Sequence, residues 1–150
     1  MTKFGFRLES VLRLRTLELA AARLKLGRIL EQIAQLERSL AASAKERSEA
    51  VTFVQNQPAI GNVELRSLSA FLLGCDARTA NLRDAVKRAR QLLEQQRQAV
   101  LAAGRNERLL EKLKEKKLAQ WRRESDRELE TLAQEAWNST QQSTRRDWLA

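Results

Sequence analysis

An all-α fold, two long helices paired as an antiparallel coiled-coil hairpin with the second helix the longer, is predicted by three features of the 150-residue chain. Apolar residues recur at alternating steps of three and four along two long stretches, the spacing that keeps one narrow stripe of a helix against a partner. One segment, "NQPAIGN" at 56–62, holds the only proline and interrupts that rhythm. Composition agrees: five glycines, 31% charged residues and 5% aromatics suit long helices packed on a seam better than a broad globular core.

The first helix is expected over 5–55. Its stripe runs through Leu12, Arg15, Leu19, Ala22, Leu26, Ile29, Ile33, Leu36 and Leu40, with Leu8 one step earlier. It weakens through Ser43 and Arg47 before Ala50 and Val54. Arg15 can lay its aliphatic stem along the seam with its charge outside, and Glu107, at a similar height, is a candidate to pair with it and fix the register. The turn is expected at 56–62, where Pro58 removes a backbone donor and Gly61 and the asparagines tolerate left-handed backbone.

The second helix is expected over 63–138. Its stripe runs through Leu68, Leu72, Cys75, Thr79, Leu82, Val86, Ala89, Leu93, Gln96, Val100 and Ala103. Two such stripes joined by a short turn bury each other only as an antiparallel pair. Folding about Pro58 sets Leu12 opposite residues near 105, so the second helix is expected to outrun the first beyond about residue 112. There the rhythm breaks, with Leu110, Leu113, Leu118 and Trp121 as the next apolar positions. Residues 139–150 are polar and read as a flexible tail. The whole is expected to form a single domain.

Charge is uneven. The net charge is +9 with no histidine, which favours anionic partners and removes the commonest general base and metal ligand. Residues 1–28 carry a net +5, 29–80 carry −1, 81–104 carry +3 and 105–123 carry +5, whereas 124–150 carry −3. At about 100° per residue, Arg105, Arg108, Lys112, Lys116 and Arg123 share one helix face, and Leu110, Leu113 and Trp121 lie on the other. The bland account of the basic face is a solvated surface with weak helical ion pairs. Near the turn, Phe53, Val54, Leu68, Phe71, Leu72 and Leu73 span wider arcs than two helices cover; local clustering and a docking patch both fit.

No phosphate loop, metal-spaced cluster or nucleophile–base pair can be assembled, so no catalytic group, cofactor or metal is expected. The lone cysteine, Cys75, reads as a small apolar seam residue. No apolar run approaches the ~20 residues a bilayer requires, and the first residues lack a secretory pattern; a cytoplasmic protein is expected.

Two segments carry a family likeness. "FRLESVLRLRTLELAAARLKLG" from residue 6 onward resembles the start of FliJ-type flagellar export proteins, with Phe-x-Leu-x-x-Val-Leu, Arg and then a Leu/Ala heptad helix. "LLEKLKEKKLAQWRRESDRELETLAQEA" at 109–136 is similar to their C-terminal segment: a Leu-Glu-Lys-Leu core, a Lys/Glu run, an aromatic and a mixed-charge helix. Trp121 stands where that family more usually has Tyr or Phe, and Gln134-Glu135 where Asp-Glu is common. The resemblance implies a non-enzymatic cytoplasmic stalk of the type III export apparatus. Such a stalk occupies the hexameric export ATPase, links it to the cytoplasmic ring of the export gate and handles export chaperones, at the inner-membrane face of the flagellar base. On that basis Arg105, Arg108, Lys112, Lys116, Trp121 and Arg123 become ATPase-contact candidates, and Phe53, Leu68, Phe71 and Leu72 gate-contact candidates. The rival readings are a basic coiled coil that binds nucleic acid, a self-associating scaffold, and the stalk of a virulence-type secretion system. Interleaved acids and the lack of an aromatic stacking platform weigh against nucleic acid.

Overall fold

The computed structural model describes residues 3–147, and its two elements are α1 (Glu9–Gln55, 47 residues) and α2 (Asn62–Asp147, 86 residues). They pack against each other as an antiparallel hairpin, with no strand among the described residues. Two compact units form, one of residues 18–103 and one in which residues 3–17 pack with α2 from Gly104 onward.

In the unit of residues 18–103 the seam forms as its spacing requires. Ile29, Ile33 and Ala89 are buried together, with Leu36 and Leu93 packed against them. Cys75, 1% exposed, is the most deeply buried of the seam residues. Polar seam positions find each other: Ser43 Oγ and Thr79 Oγ1 are 3.3 Å apart, and the buried Gln96 amide donates from Nε2 to the Ala22 carbonyl at 2.9 Å. Each bond satisfies a group that would otherwise be desolvated for nothing. Arg47–Asp76 (3.0 Å), Arg78–Glu46 (3.2 Å) and Arg90–Glu37 (2.9 Å) flank the seam. Exposed pairs of this kind contribute about 0–1 kcal/mol each, and only one alignment of the helices satisfies all three.

The connection at 56–61 departs from expectation in its mechanism. No described residue has a left-handed backbone conformation, glycines included. The chain unwinds through Asn56 N–H to the Thr52 carbonyl and Gln57 N–H to the Val54 carbonyl. It re-enters a helix when the Gly61 carbonyl accepts from Leu65 N–H. The Glu64 carboxylate folds over Gly61, where a Cβ would collide with it, and lies in the first turn of α2, where the helix dipole favours an acid.

Both outer helix boundaries differ from expectation. α1 starts at Glu9 rather than near 5, because the segment around Phe4 and Phe6 leaves the helical path to lie on α2; Gly5 there is a poor helix former. Leu8, expected on the seam, is in the preceding turn and 37% exposed. α2 continues past 138 to Asp147. Neither glycine nor proline follows Gly104, and the Thr131, Ser139 and Thr140 hydroxyls donate back to the Arg127 and Ala136 carbonyls, which keeps polar side chains compatible with the helix. Residues 148–150, the remainder of the expected tail, lie outside the described residues.

Ile33→Ala removes a side chain from the centre of the seam. A loss of about 2–4 kcal/mol is expected, read as a lower urea midpoint by far-ultraviolet circular dichroism. Arg90→Gln, at an exposed pair, is expected to move the midpoint by under about 1 kcal/mol.

Candidate interaction surfaces

Within the unit that includes 104–147, the inner face of α2 is Glu107, Leu110, Lys114, Leu118, Trp121 and Ser125, each buried or half-buried. The steps between them are three, four, four, three and four. The rhythm therefore continues through a local stutter, two steps of four in succession, instead of ending. Leu113, expected on the apolar face, is displaced to its edge and is 36% exposed. Its place is taken by Lys114, whose stem lies in the seam while its ammonium meets the Glu9 carboxylate at 2.8 Å. That pair also resets the expected alignment. Glu9 beside Lys114 brings Leu12 level with residues near 111, not 105. The connecting segment extends to Gly61, beyond the proline about which the fold was expected to turn. Arg15 and Glu107 are both half-buried seam residues.

The N-terminal segment covers part of this face. The Phe4 and Trp121 rings stand 6.0 Å apart, tilted by 56°, a favoured arrangement for two quadrupoles. Around them a groove of about 660 Å³ is lined by Phe4, Phe6, Leu8, Leu113 and Trp121, with Lys3, Arg7, Lys117 and Glu124 among its polar residues. Trp121, placed by sequence among the ATPase-contact candidates, is thus half-buried under Phe4 rather than free. Lys3, Arg7 and Lys117 had no distinguishing sequence signal, since only the turn at 7–8 brings the first two against α2.

The five basic candidates form the outer face. Arg105, Arg108, Lys112, Lys116 and Arg123 are all exposed, opposite the inner stripe by helical periodicity. None has an ion pair or hydrogen bond among the described residues. No ion pair with the intervening acids Glu107, Glu111 and Glu115 forms among the described residues.

Near the turn, in the other unit, a groove of about 370 Å³ is lined by Ala50, Phe53, Val54, Val63, Leu68 and Phe71, with Glu64 and Ser67. The four gate-contact candidates divide. Phe53 and Phe71 are 68% and 42% exposed. Leu68 is half-buried at the floor, whereas Leu72 is half-buried on the seam and does not line the groove.

Among the described residues there is no cluster of acids and cysteine that could hold a metal, and no helix is long and apolar enough to cross a membrane. Seams closed by side chains of the same chain, with open charged and apolar faces outside, define a helical-hairpin protein whose chemistry lies in its surfaces. A family model described as "Flagellar FliJ protein" matches residues 4–133. The chain belongs to the FliJ family and is a component of the flagellar protein export apparatus. No curated protein and no solved structure matches it significantly.

The Phe4–Trp121 contact is testable by a double-mutant cycle with Phe4→Leu and Trp121→Leu. A coupling of about 0.5–1.5 kcal/mol is expected in thermal or urea unfolding; additive losses would separate the two rings.

Proposed function

We propose that this chain is the cytoplasmic stalk of the flagellar export apparatus. It enters the export ATPase hexamer with the unit that carries the outer basic face and contacts the export gate ring with the groove near the turn. The observation that carries this reading is the row Arg105, Arg108, Lys112, Lys116 and Arg123, exposed and without partners among the described residues. Unpaired guanidinium and ammonium groups on one rigid helix suit an acidic ring lumen, where they steer encounter and set orientation. Arg108 and its neighbours act as the ATPase contacts, and Trp121 acts indirectly by holding the N-terminal segment against α2. Phe53 and Phe71 supply exposed aromatic area for the gate, with Leu68 as the floor beneath them; aromatic anchors of this kind dominate protein interfaces. Export chaperones are further partners on this reading, and the protein works in the cytoplasm at the inner-membrane face, held there through the apparatus.

Charge reversal at Arg108, Lys112 and Lys116 is expected to weaken binding to the cognate export ATPase by about tenfold or more, a loss of ~1.4 kcal/mol, and to abolish stimulation of ATP hydrolysis with helicity unchanged. Unchanged binding would return the row to ordinary solvated surface. For the gate, Phe53→Ala with Phe71→Ala is the informative pair, because Leu72→Ala also damages the seam. Loss of gate binding with the urea midpoint retained is the expected result.

A further inference from the structure

The outer face of α2 holds a pattern that neither the seam nor a single acidic partner requires. The stripe that begins at Arg105 and ends at Trp137 steps alternately by four and three residues, and every member is exposed. Its first half is basic: Arg105, Lys112, Lys116 and Arg123. Its second half is acidic: Asp126 and Glu130. None of these six groups makes an ion pair or hydrogen bond among the described residues. Leu109, 67% exposed, and Trp137, 66% exposed, lie near the two ends of the same stripe.

We propose that this stripe is a self-complementary interface through which two copies of the chain pair, α2 against α2, antiparallel and about a two-fold axis level with residue 121. A coiled-coil stripe reversed on itself at that level sets opposite charges face to face at two pairs of positions, with Arg123 opposite Ala119 beside the axis. Lys112 faces Glu130 of the second copy and Lys116 faces its Asp126, and the symmetry repeats both pairs. Leu109 meets Ala133, and the Arg105 guanidinium meets the Trp137 indole, a favourable cation–ring contact. The parallel alternative stacks Lys112 on Lys112 and Glu130 on Glu130 and is disfavoured by the same charges. Leu109, Ala119, Ala133 and Trp137 are its only apolar members, so the dimer is weak and dissociates as salt is raised. The seam residues lie on the opposite face and stay covered by their own chain. Because the interface hides Arg105, Lys112, Lys116 and Arg123, the dimer is a stored form that cannot present the basic row to another protein.

The test uses the isolated full chain, so it stands apart from the ATPase reading. Sedimentation equilibrium at low salt is expected to give twice the chain mass, falling to the monomer at high salt. Lys112→Glu with Lys116→Glu sets acid against acid at both charged pairs, and Asp126→Lys with Glu130→Lys sets base against base. Each double variant alone is expected to be monomeric at low salt with wild-type helicity. Mixed in equal amounts, the two are expected to recover the dimer mass, since every pair is then complementary. A wild-type chain that stays monomeric at low salt overturns the proposal and leaves the stripe to an acidic partner. So does a dimer that survives either double variant, or a mixture that fails to associate.

Discussion

Two paired helices can hide one stripe on each helix, and that limit governs what the remaining surface of this protein can be. In the unit of residues 18–103 the stripes are spent on each other, with Ile29, Ile33 and Ala89 at the centre. Most other side chains on both helices stay in water. A seam so narrow tolerates sliding unless something penalises it. Here the penalty is polar: a misaligned seam strands Gln96 without the Ala22 carbonyl and parts Ser43 from Thr79. Alignment is thus specified by a few groups that would be costly to leave unsatisfied, and the exposed ion pairs reinforce it.

The same economy explains how much of the fold is legible in the sequence. Spacing alone identifies the buried positions: of the seam residues from Leu12 to Ala103 only Arg47 is exposed, and it pairs across the hairpin with Asp76. Spacing does not reveal Lys114, because a lysine counts as polar in any pattern of apolar residues, whereas its four-carbon stem packs like an aliphatic side chain. Apolarity alone assigns Leu113 to the inner face and stops the rhythm there; in the folded chain the rhythm steps through Lys114 to Leu118. The N-terminal boundary is obscured for a related reason. Leu8 continues the three-four spacing backward, but the packing of Phe4 on Trp121 competes with helix extension and prevails. Pro58 locates the turn correctly, although the backbone there uses none of the left-handed freedom that Gly61 offers.

The surfaces divide into those that spacing specifies and those that only placement specifies. The basic row on α2 is a matter of periodicity, and all five residues emerge exposed as their angles require. The groove around Phe6 and Trp121 depends on where the residues before α1 come to rest, a long-range contact that no local pattern encodes. Near the turn the distinction separates neighbours. Phe71 and Leu72 are adjacent and both apolar, yet one lines an open groove and the other closes the seam.

Membership of the FliJ family places the chain in an export apparatus, and the character of its exposed faces bears on how such a component can act. An apolar outer face large enough to bind tightly would also aggregate, since nothing in the chain covers it. Charged rows avoid that hazard: they stay solvated when alone, raise encounter rates with an opposite field, and release readily because each pair contributes little. They carry a second property that apolar faces lack, namely sign. A row that is basic over 105–123 and acidic over 124–137 distinguishes parallel from antiparallel neighbours and acidic from basic partners. An apolar stripe of the same length could make neither distinction.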